Sequence, residues 1–206
     1  MKETYDWFEP LYAGAAGDVG QVPWALPGAA PYLTQWLNQR KQRGEGLSAV
    51  VVGCGLGDDA EALAAAGFTV TAFDVAQSAI AWAKERFPES SVNYVAADLF
   101  DLPAEWIGAF DIVFEFRTIQ ALPISVRGEA IASVASLPKP GGRLLLATYT
   151  RNSEKTPDGP PWPLSVTELS QFEEIGLDVV KREVFKKKES RFSDRVQIEY
   201  RVPVKK

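Results

Sequence analysis

The chain has no histidine and a single cysteine in 206 residues. Without histidine, Ser-His-Asp and Cys-His nucleophilic schemes and most zinc sites are excluded, and no metal site is expected. One cysteine excludes an internal disulfide framework and makes a cytoplasmic location the expectation. No apolar run reaches the roughly 18 residues of a membrane span. The opening M-K-E-T-Y-D-W-F-E-P lacks the apolar stretch of a secretory signal. A net positive charge is also lacking: 22 Lys/Arg against 27 Asp/Glu give a formal charge of −5, which disfavours nucleic acid as a partner. Residues 181–206 are the exception, with ten Lys/Arg against four Asp/Glu. A charged, solvent-facing strand pair that resists edge pairing accounts for such a tail.

What is present is a strand–helix alternation. No repeat or low-complexity linker interrupts it, so a single domain over 1–206 is expected. Residues 1–30 carry W-F-E-P-L-Y-A-G and V-P-W-A-L-P-G-A-A-P and are expected to form an ordered aromatic cap, since aromatics favour burial. Pro31 opens a helix to about Arg43 with Leu33, Trp36 and Leu37 on one face. Strands are predicted over 47–52, 68–73, 92–96, 110–116 and 142–149, and helices over 57–66, 76–87 and 125–137. Asp178–Lys187 and Arg191–Val202 form a hairpin around K-K-E-S. The predicted fold is α/β and Rossmann-like: a mostly parallel seven-stranded sheet, helices on both faces, and a C-terminal antiparallel hairpin.

V-V-G-C-G-L-G-D-D, residues 51–59, stands where the first strand turns into a helix. Ligands of open parallel sheets bind at such strand ends. A phosphate-binding loop would need Lys-Ser or Lys-Thr after the glycines, which is missing. A dinucleotide fold would need a small residue where Asp58 stands, and that carboxylate would repel a pyrophosphate at a helix N-terminus. A nucleoside without phosphates fits better. Gly53, Gly55 and Gly57 permit close backbone approach. Asp74 ends the second strand, where a carboxylate can accept from ribose hydroxyls. Asp98 follows the third strand and can accept from an adenine amino group. S-adenosylmethionine has these parts.

G-C-G-L-G, F-D-V, A-D-L, F-D-I-V-F-E and L-P-K-P-G-G-R-L-L-L fall in the order found in class I S-adenosylmethionine-dependent methyltransferases, which the chain resembles over nearly its whole length. Most such enzymes carry an acidic residue where Val51 stands. The branch that often lacks it contains the thiopurine, thiol and halide methyltransferases. V-P-W-A-L-P-G-A-A-P-Y-L, F-E-F-R-T-I-Q-A-L-P-I-S-V-R and P-D-G-P-P-W-P-L-S-V-T-E-L resemble that branch's cofactor-covering segment, post-strand segment and pocket-edging loop. Thiopurine enzymes have Asp-Arg where this chain has Glu115-Phe116, with Arg117 one place on.

The resemblance implies S-adenosylmethionine as cofactor and a small soft nucleophile as acceptor: a thiol first, then a halide or metalloid. An O- or N-methyltransferase, or a non-catalytic S-adenosylmethionine binder, is the alternative. Expected cofactor contacts are Trp24, Gly53, Gly55, Gly57, Asp58, Asp74, Val75, Asp98, Leu99 and Glu115. Glu115, Arg117 and Arg127 are the catalytic candidates. Trp7, Arg117, Arg127 and Trp162 are the acceptor candidates. Plainer roles compete with these: a helix N-cap for Asp74, a turn for Asp98, helix-end charges for Asp58 and Asp59, a solvated helix face for Arg127, and core packing for Trp7, Trp24 and Cys54. A small-molecule partner and a monomer or weak homodimer are expected, with no nucleic acid and no membrane.

Overall fold

The computed structural model describes residues 6–40, 44–152, 155, 158–186 and 194–204. The chain divides into two compact units, Met1–Asp101 and Leu102–Lys206. Among the described residues there are seven strands, three in the first unit and four in the second.

The first unit contains α1 (Phe8–Ala15), α2 (Pro31–Gln39), β1 (Ser48–Val52), α3 (Asp58–Ala65), β2 (Thr69–Asp74), α4 (Gln77–Arg86) and β3 (Asn93–Ala96). β1 pairs with β2 and β2 with β3, both parallel. Residues Ala49–Val52 are buried in succession, so both faces of β1 are covered, as its unbroken apolar run predicts. Gly67 (φ +95) stops α3 as expected: its N–H donates to Ala64 O and that of Phe68 to Leu63 O, closing the last turn. Helix α2 ends at Gln39, short of the expected Arg43; residues 41–43 lie outside the described set. The N-terminal segment contains a helix the sequence did not announce. α1 buries Tyr12 and Ala15 against Leu56, Ala76 and Ala79.

The second unit contains β4 (Phe110–Phe116), α5 (Arg127–Ser136), β5 (Pro138–Tyr149), α6 (Val166–Ile175), β6 (Asp178–Phe185) and β7 (Arg195–Arg201). β4 and β5 are parallel; β7 runs antiparallel to both β5 and β6. The expected mostly parallel sheet with an antiparallel C-terminal pair is thus present. Its K-K-E-S turn falls outside the described residues. β6 is solvent-facing except at the half-buried Glu183, but β7 buries Val196, Ile198 and Tyr200, so β6 is the surface strand of the pair. Before α5, Pro123 leads into a short 3-10 turn, Ile124–Val126, so the helix proper starts at Arg127 rather than Ser125. α6 begins with a capping box: the Ser165 hydroxyl accepts from Glu168 N–H, and the Glu168 carboxylate accepts from Ser165 N–H.

Candidate active site

In the first unit, β1 runs into a turn in which Gly53 (φ +60), Gly55 (φ +50) and Gly57 (φ +91) all lie in the left-handed region. Side chains rarely adopt that conformation. The three glycines nevertheless differ in what surrounds them. A Cβ on Gly57 would sit 2.5 Å from the Tyr94 hydroxyl, so this glycine makes room for a packed tyrosine. A Cβ on Gly55 would sit 2.9 Å from the Tyr12 hydroxyl of α1. The backbone at Gly55 is therefore approached directly by the N-terminal segment.

Asp74 closes β2 and is buried. Its Oδ2 accepts from Gly55 N–H at 3.0 Å and its Oδ1 from Ala76 N–H at 3.0 Å. Burial raises the carboxyl's pKa, and the backbone donors partly offset this. Asp74 does not cap α4 in the usual way; the N-cap is Ala76, with no side-chain bond. Instead the carboxylate ties the glycine turn to the β2–α4 turn. Each oxygen accepts one bond from these donors, and a carboxylate oxygen has two lone pairs. Val75, next in sequence, leaves 41% of its surface exposed, while Leu99 is buried. Asp98 Oδ1 accepts from Phe100 N–H at 2.9 Å, which shapes the turn after β3.

The two carboxylates opening α3 are both engaged. Asp58 forms a two-point ion pair with Arg86 (2.6 and 3.0 Å), and Asp59 accepts from Ala30 N–H at 2.6 Å. Arg86 thus neutralises the charge on which the case against a dinucleotide rested. Cys54 is buried and its thiol is pushed well up by that burial and by Asp74, as befits a packing residue. Trp7 and Trp24 meet edge-on at 5.6 Å, Trp7 stacks on Phe8 at 4.0 Å, and the Trp24 indole N–H donates to the Tyr12 hydroxyl at 2.8 Å. Glu9 receives the N–H and the hydroxyl of Ser78 on α4.

In the second unit, Glu115 is completely buried at the end of β4. Its Oε1 accepts from Ile119 N–H at 2.9 Å; burial pushes its pKa up to about 7, against the backbone donors and Arg127, which lower it. Arg117 has φ +68, a strained state for a residue with a side chain, and its guanidinium lies over the rings of Phe116 (4.5 Å) and Tyr149 (5.1 Å). Arg127 is not on a solvated helix face. It is 2% exposed, pairs with Glu168, and donates through Nη2 to the carbonyls of Leu122 and Trp162, each at 3.1 Å. Burial lowers its pKa, opposed chiefly by Glu168. Trp162 is half-buried, with its N–H on the Gln120 carbonyl at 2.7 Å.

Sequence reasoning missed Tyr12, Arg86, Gln120, Arg151 and Glu168. Only Glu168 carried a local signal, the Ser165-x-x-Glu168 capping pattern; the others gain their roles from partners distant in sequence. Among the described residues, no group of acidic, cysteine or histidine side chains could hold a metal ion, and no helix is long and apolar enough to cross a membrane.

The geometry has relatives. The family model for thiopurine S-methyltransferase matches residues 18–199. A ubiquinone biosynthesis O-methyltransferase of Thiobacillus denitrificans is 32% identical over 126 residues, 60% of this chain and 53% of that protein. The chain spans about half the length of the curated relatives it matches. Among solved structures, the N-methyltransferase NodS from Bradyrhizobium japonicum in complex with S-adenosyl-L-homocysteine superposes with a TM-score of 0.71 at 21% identity, covering 97% of this chain and 98% of that one. The [4+2]-cyclase SpnF superposes with a TM-score of 0.74 at 18% identity, covering 97% and 95%. At these identities the structural likeness shows the fold alone.

Proposed function

The chain belongs to the thiopurine S-methyltransferase family, a branch of the class I S-adenosylmethionine-dependent methyltransferases, and from that premise we propose that it methylates a small soft nucleophile, a thiol foremost. One observation carries the cofactor half of this reading: Asp74, buried at the end of β2 and bonded to Gly55 N–H of the glycine turn. A rigid acceptor beside a glycine turn is what a ribose diol requires.

S-Adenosylmethionine, when bound, supplies a methyl group already activated on a sulfonium. The chain's residues have the simpler tasks of binding, orienting and excluding water. Gly53 and Gly55 let the backbone come close. Asp74 offers its remaining lone pairs to ribose hydroxyls. Val75, Leu99 and Asp98 flank the adenine, with Val75 supplying an exposed apolar surface. The Trp7–Trp24–Tyr12 cluster shields the site from water. On the acceptor side, Arg117 favours the thiolate over the thiol, and Trp162 supplies an apolar contact. Glu115 holds the turn after β4 through Ile119 N–H. The single domain, the cytoplasmic location and a monomer or weak homodimer belong to the same proposal.

The O-methyltransferase relatives favour one alternative, a hydroxyl acceptor. Calorimetric titration with S-adenosylhomocysteine, with a nicotinamide dinucleotide as control, comes first; binding of the former alone is expected. Methyl transfer to thiophenol, iodide and catechol then separates the acceptors. Turnover of catechol but not of thiophenol would replace the thiol reading with the O-methyl one. Tight S-adenosylhomocysteine binding without turnover of any acceptor would mark a non-catalytic binder.

A further inference from the structure

Residues 162–164 of the second unit have their backbone held from several sides. Trp162 N–H donates to the Gln120 carbonyl at 2.7 Å, and the Trp162 carbonyl accepts from Arg127 Nη2 at 3.1 Å. The next carbonyl, of Pro163, accepts from Arg151 Nη1. Leu164 N–H donates to Tyr149 O at 2.9 Å, and Arg151 N–H returns to Leu164 O at 2.9 Å. Both guanidiniums converge on one atom, Glu168 Oε2, at 2.8 Å from Arg151 and 3.3 Å from Arg127. That oxygen also accepts from Ser165 N–H at 2.7 Å. Gln120 secures the other end: its side-chain oxygen accepts from the Thr148 hydroxyl at 2.9 Å and from Tyr149 N–H at 2.7 Å.

This is a costly way to hold a loop. Arg127, Arg151 and Glu168 are all buried, and apolar side chains of similar volume fill such space more cheaply. Arg127 even leaves its Nε–H without a partner while its two terminal nitrogens serve Glu168 and the two carbonyls. Three prolines, at 160, 161 and 163, remove further backbone freedom. The Trp162 ring lies against Gly159, where a Cβ would come within 2.5 Å of it. What all this fixes in place is a half-exposed indole.

We propose that Arg127, Arg151 and Gln120 are positioning residues which lock the backbone of residues 162–164, so that Trp162 presents a rigid wall that selects acceptors by shape. The inference rests on the reading of Trp162 as an acceptor contact. It moves Arg127 from touching the acceptor to acting through Trp162. Pre-organisation of this kind lowers the ordering cost of binding and sharpens discrimination between acceptors.

The test combines kinetics and 19F NMR. A lysine at 127 keeps the charge but has one ammonium in place of a fork, and cannot serve Glu168 and two carbonyls together. Arg127→Lys is expected to raise KM for thiophenol about tenfold with kcat nearly unchanged, the signature of lost uniform binding. Preference for thiophenol over 2-mercaptoethanol is expected to shrink, while S-adenosylhomocysteine affinity stays within about twofold. Trp162→Ala is expected to do the same, and the double variant to be no worse than Trp162→Ala alone. With 5-fluorotryptophan incorporated, the resonance absent from Trp162→Phe is expected to shift or broaden in Arg127→Lys. Additive kinetic effects, or an unmoved Trp162 resonance, would overturn the proposal. If Arg127→Lys does not fold, Arg151→Lys and Gln120→Met carry the same comparison. If no thiol is turned over, the acceptor reading fails, yet the resonance still decides whether these residues hold the indole.

Discussion

The Arg86 guanidinium grips the first unit at two places: two contacts to the Asp58 carboxylate, at 2.6 and 3.0 Å, and one from Nη1 to the Leu56 carbonyl at 2.5 Å. The last residue of α4 thereby holds both the glycine turn and the first residue of α3. Arg86→Gln is expected to cost about 1 kcal/mol, because the pair is partly solvated and its Coulomb gain is screened. That corresponds to a fall in Tm of about 2–4 °C for a chain of this size. S-adenosylhomocysteine affinity should fall a few-fold, since Leu56 belongs to the turn. Melting curves and calorimetry check both; an affinity loss without a Tm change would assign Arg86 to the ligand and not to the turn.

Gly55 and Gly57 look alike in sequence and should respond differently to alanine. Gly57→Ala meets both a positive φ and the Tyr94 hydroxyl at 2.5 Å. A loss of roughly 2–4 kcal/mol in folding stability is expected, partly restored by Tyr94→Phe. Gly55→Ala meets Tyr12 of α1 instead, so its larger effect should be on S-adenosylhomocysteine binding, about tenfold or more, with a loss near 1–2 kcal/mol in stability. Equal effects of the two substitutions on binding would refute the distinction.

The parts of this molecule that were legible in the sequence are those written in local periodicity. β1 is a run of small and apolar residues, α3 ends on Gly67, and the Gly55–Asp74 relation follows from strand ends meeting side by side in a parallel pair. The start of α6 is also written locally, in Ser165 and Glu168. α1 was not legible: Pro10 and Gly14 lie inside it, and its helical state depends on Tyr12 and Ala15 being buried against Leu56, Ala76 and Ala79. The burial of Arg127 is not legible locally, because its partner Glu168 stands 41 residues away. The packing of Tyr94 against Gly57 is likewise invisible in the sequence, because the two stand 37 residues apart. Side-chain partners distant in the chain are set by tertiary packing, which no local pattern encodes.

Glu115 gives the protein a pH dependence of definite sign. Its folded-state pKa is raised to about 7 from an ordinary 4.5, because burial penalises the carboxylate. Between those values the folded state holds a proton that the unfolded state has released, so stability falls as pH rises from about 4.5 to about 7 and is flat above. Glu115→Gln removes this titration and is expected to lessen the decline in Tm across that window relative to wild type. Asp74, also raised by burial, contributes in the same direction and remains in the variant, so some decline persists. An unchanged difference between wild type and Glu115→Gln from pH 5 to pH 8 would show that Glu115 ionises normally.

Arg117 offers the clearest separation of function from stability. A side-chain-bearing residue at φ +68 is held against its preference, at about 1–3 kcal/mol. Its guanidinium recovers part of that by stacking over Phe116 and Tyr149, at about 0.5–1 kcal/mol for such contacts. If Arg117 were there only for packing, glycine would be the better residue, since it adopts this conformation without strain. Arg117→Gly is therefore expected to leave Tm unchanged or slightly raised. Thiol methylation should fall on the order of 100-fold, because the cation that favours the thiolate is gone. Arg117→Ala isolates the strain: it should be less stable than Arg117→Gly and equally impaired with thiophenol. A lowered Tm with full activity in Arg117→Gly would assign this arginine to the fold and leave the acceptor side without its proposed cation.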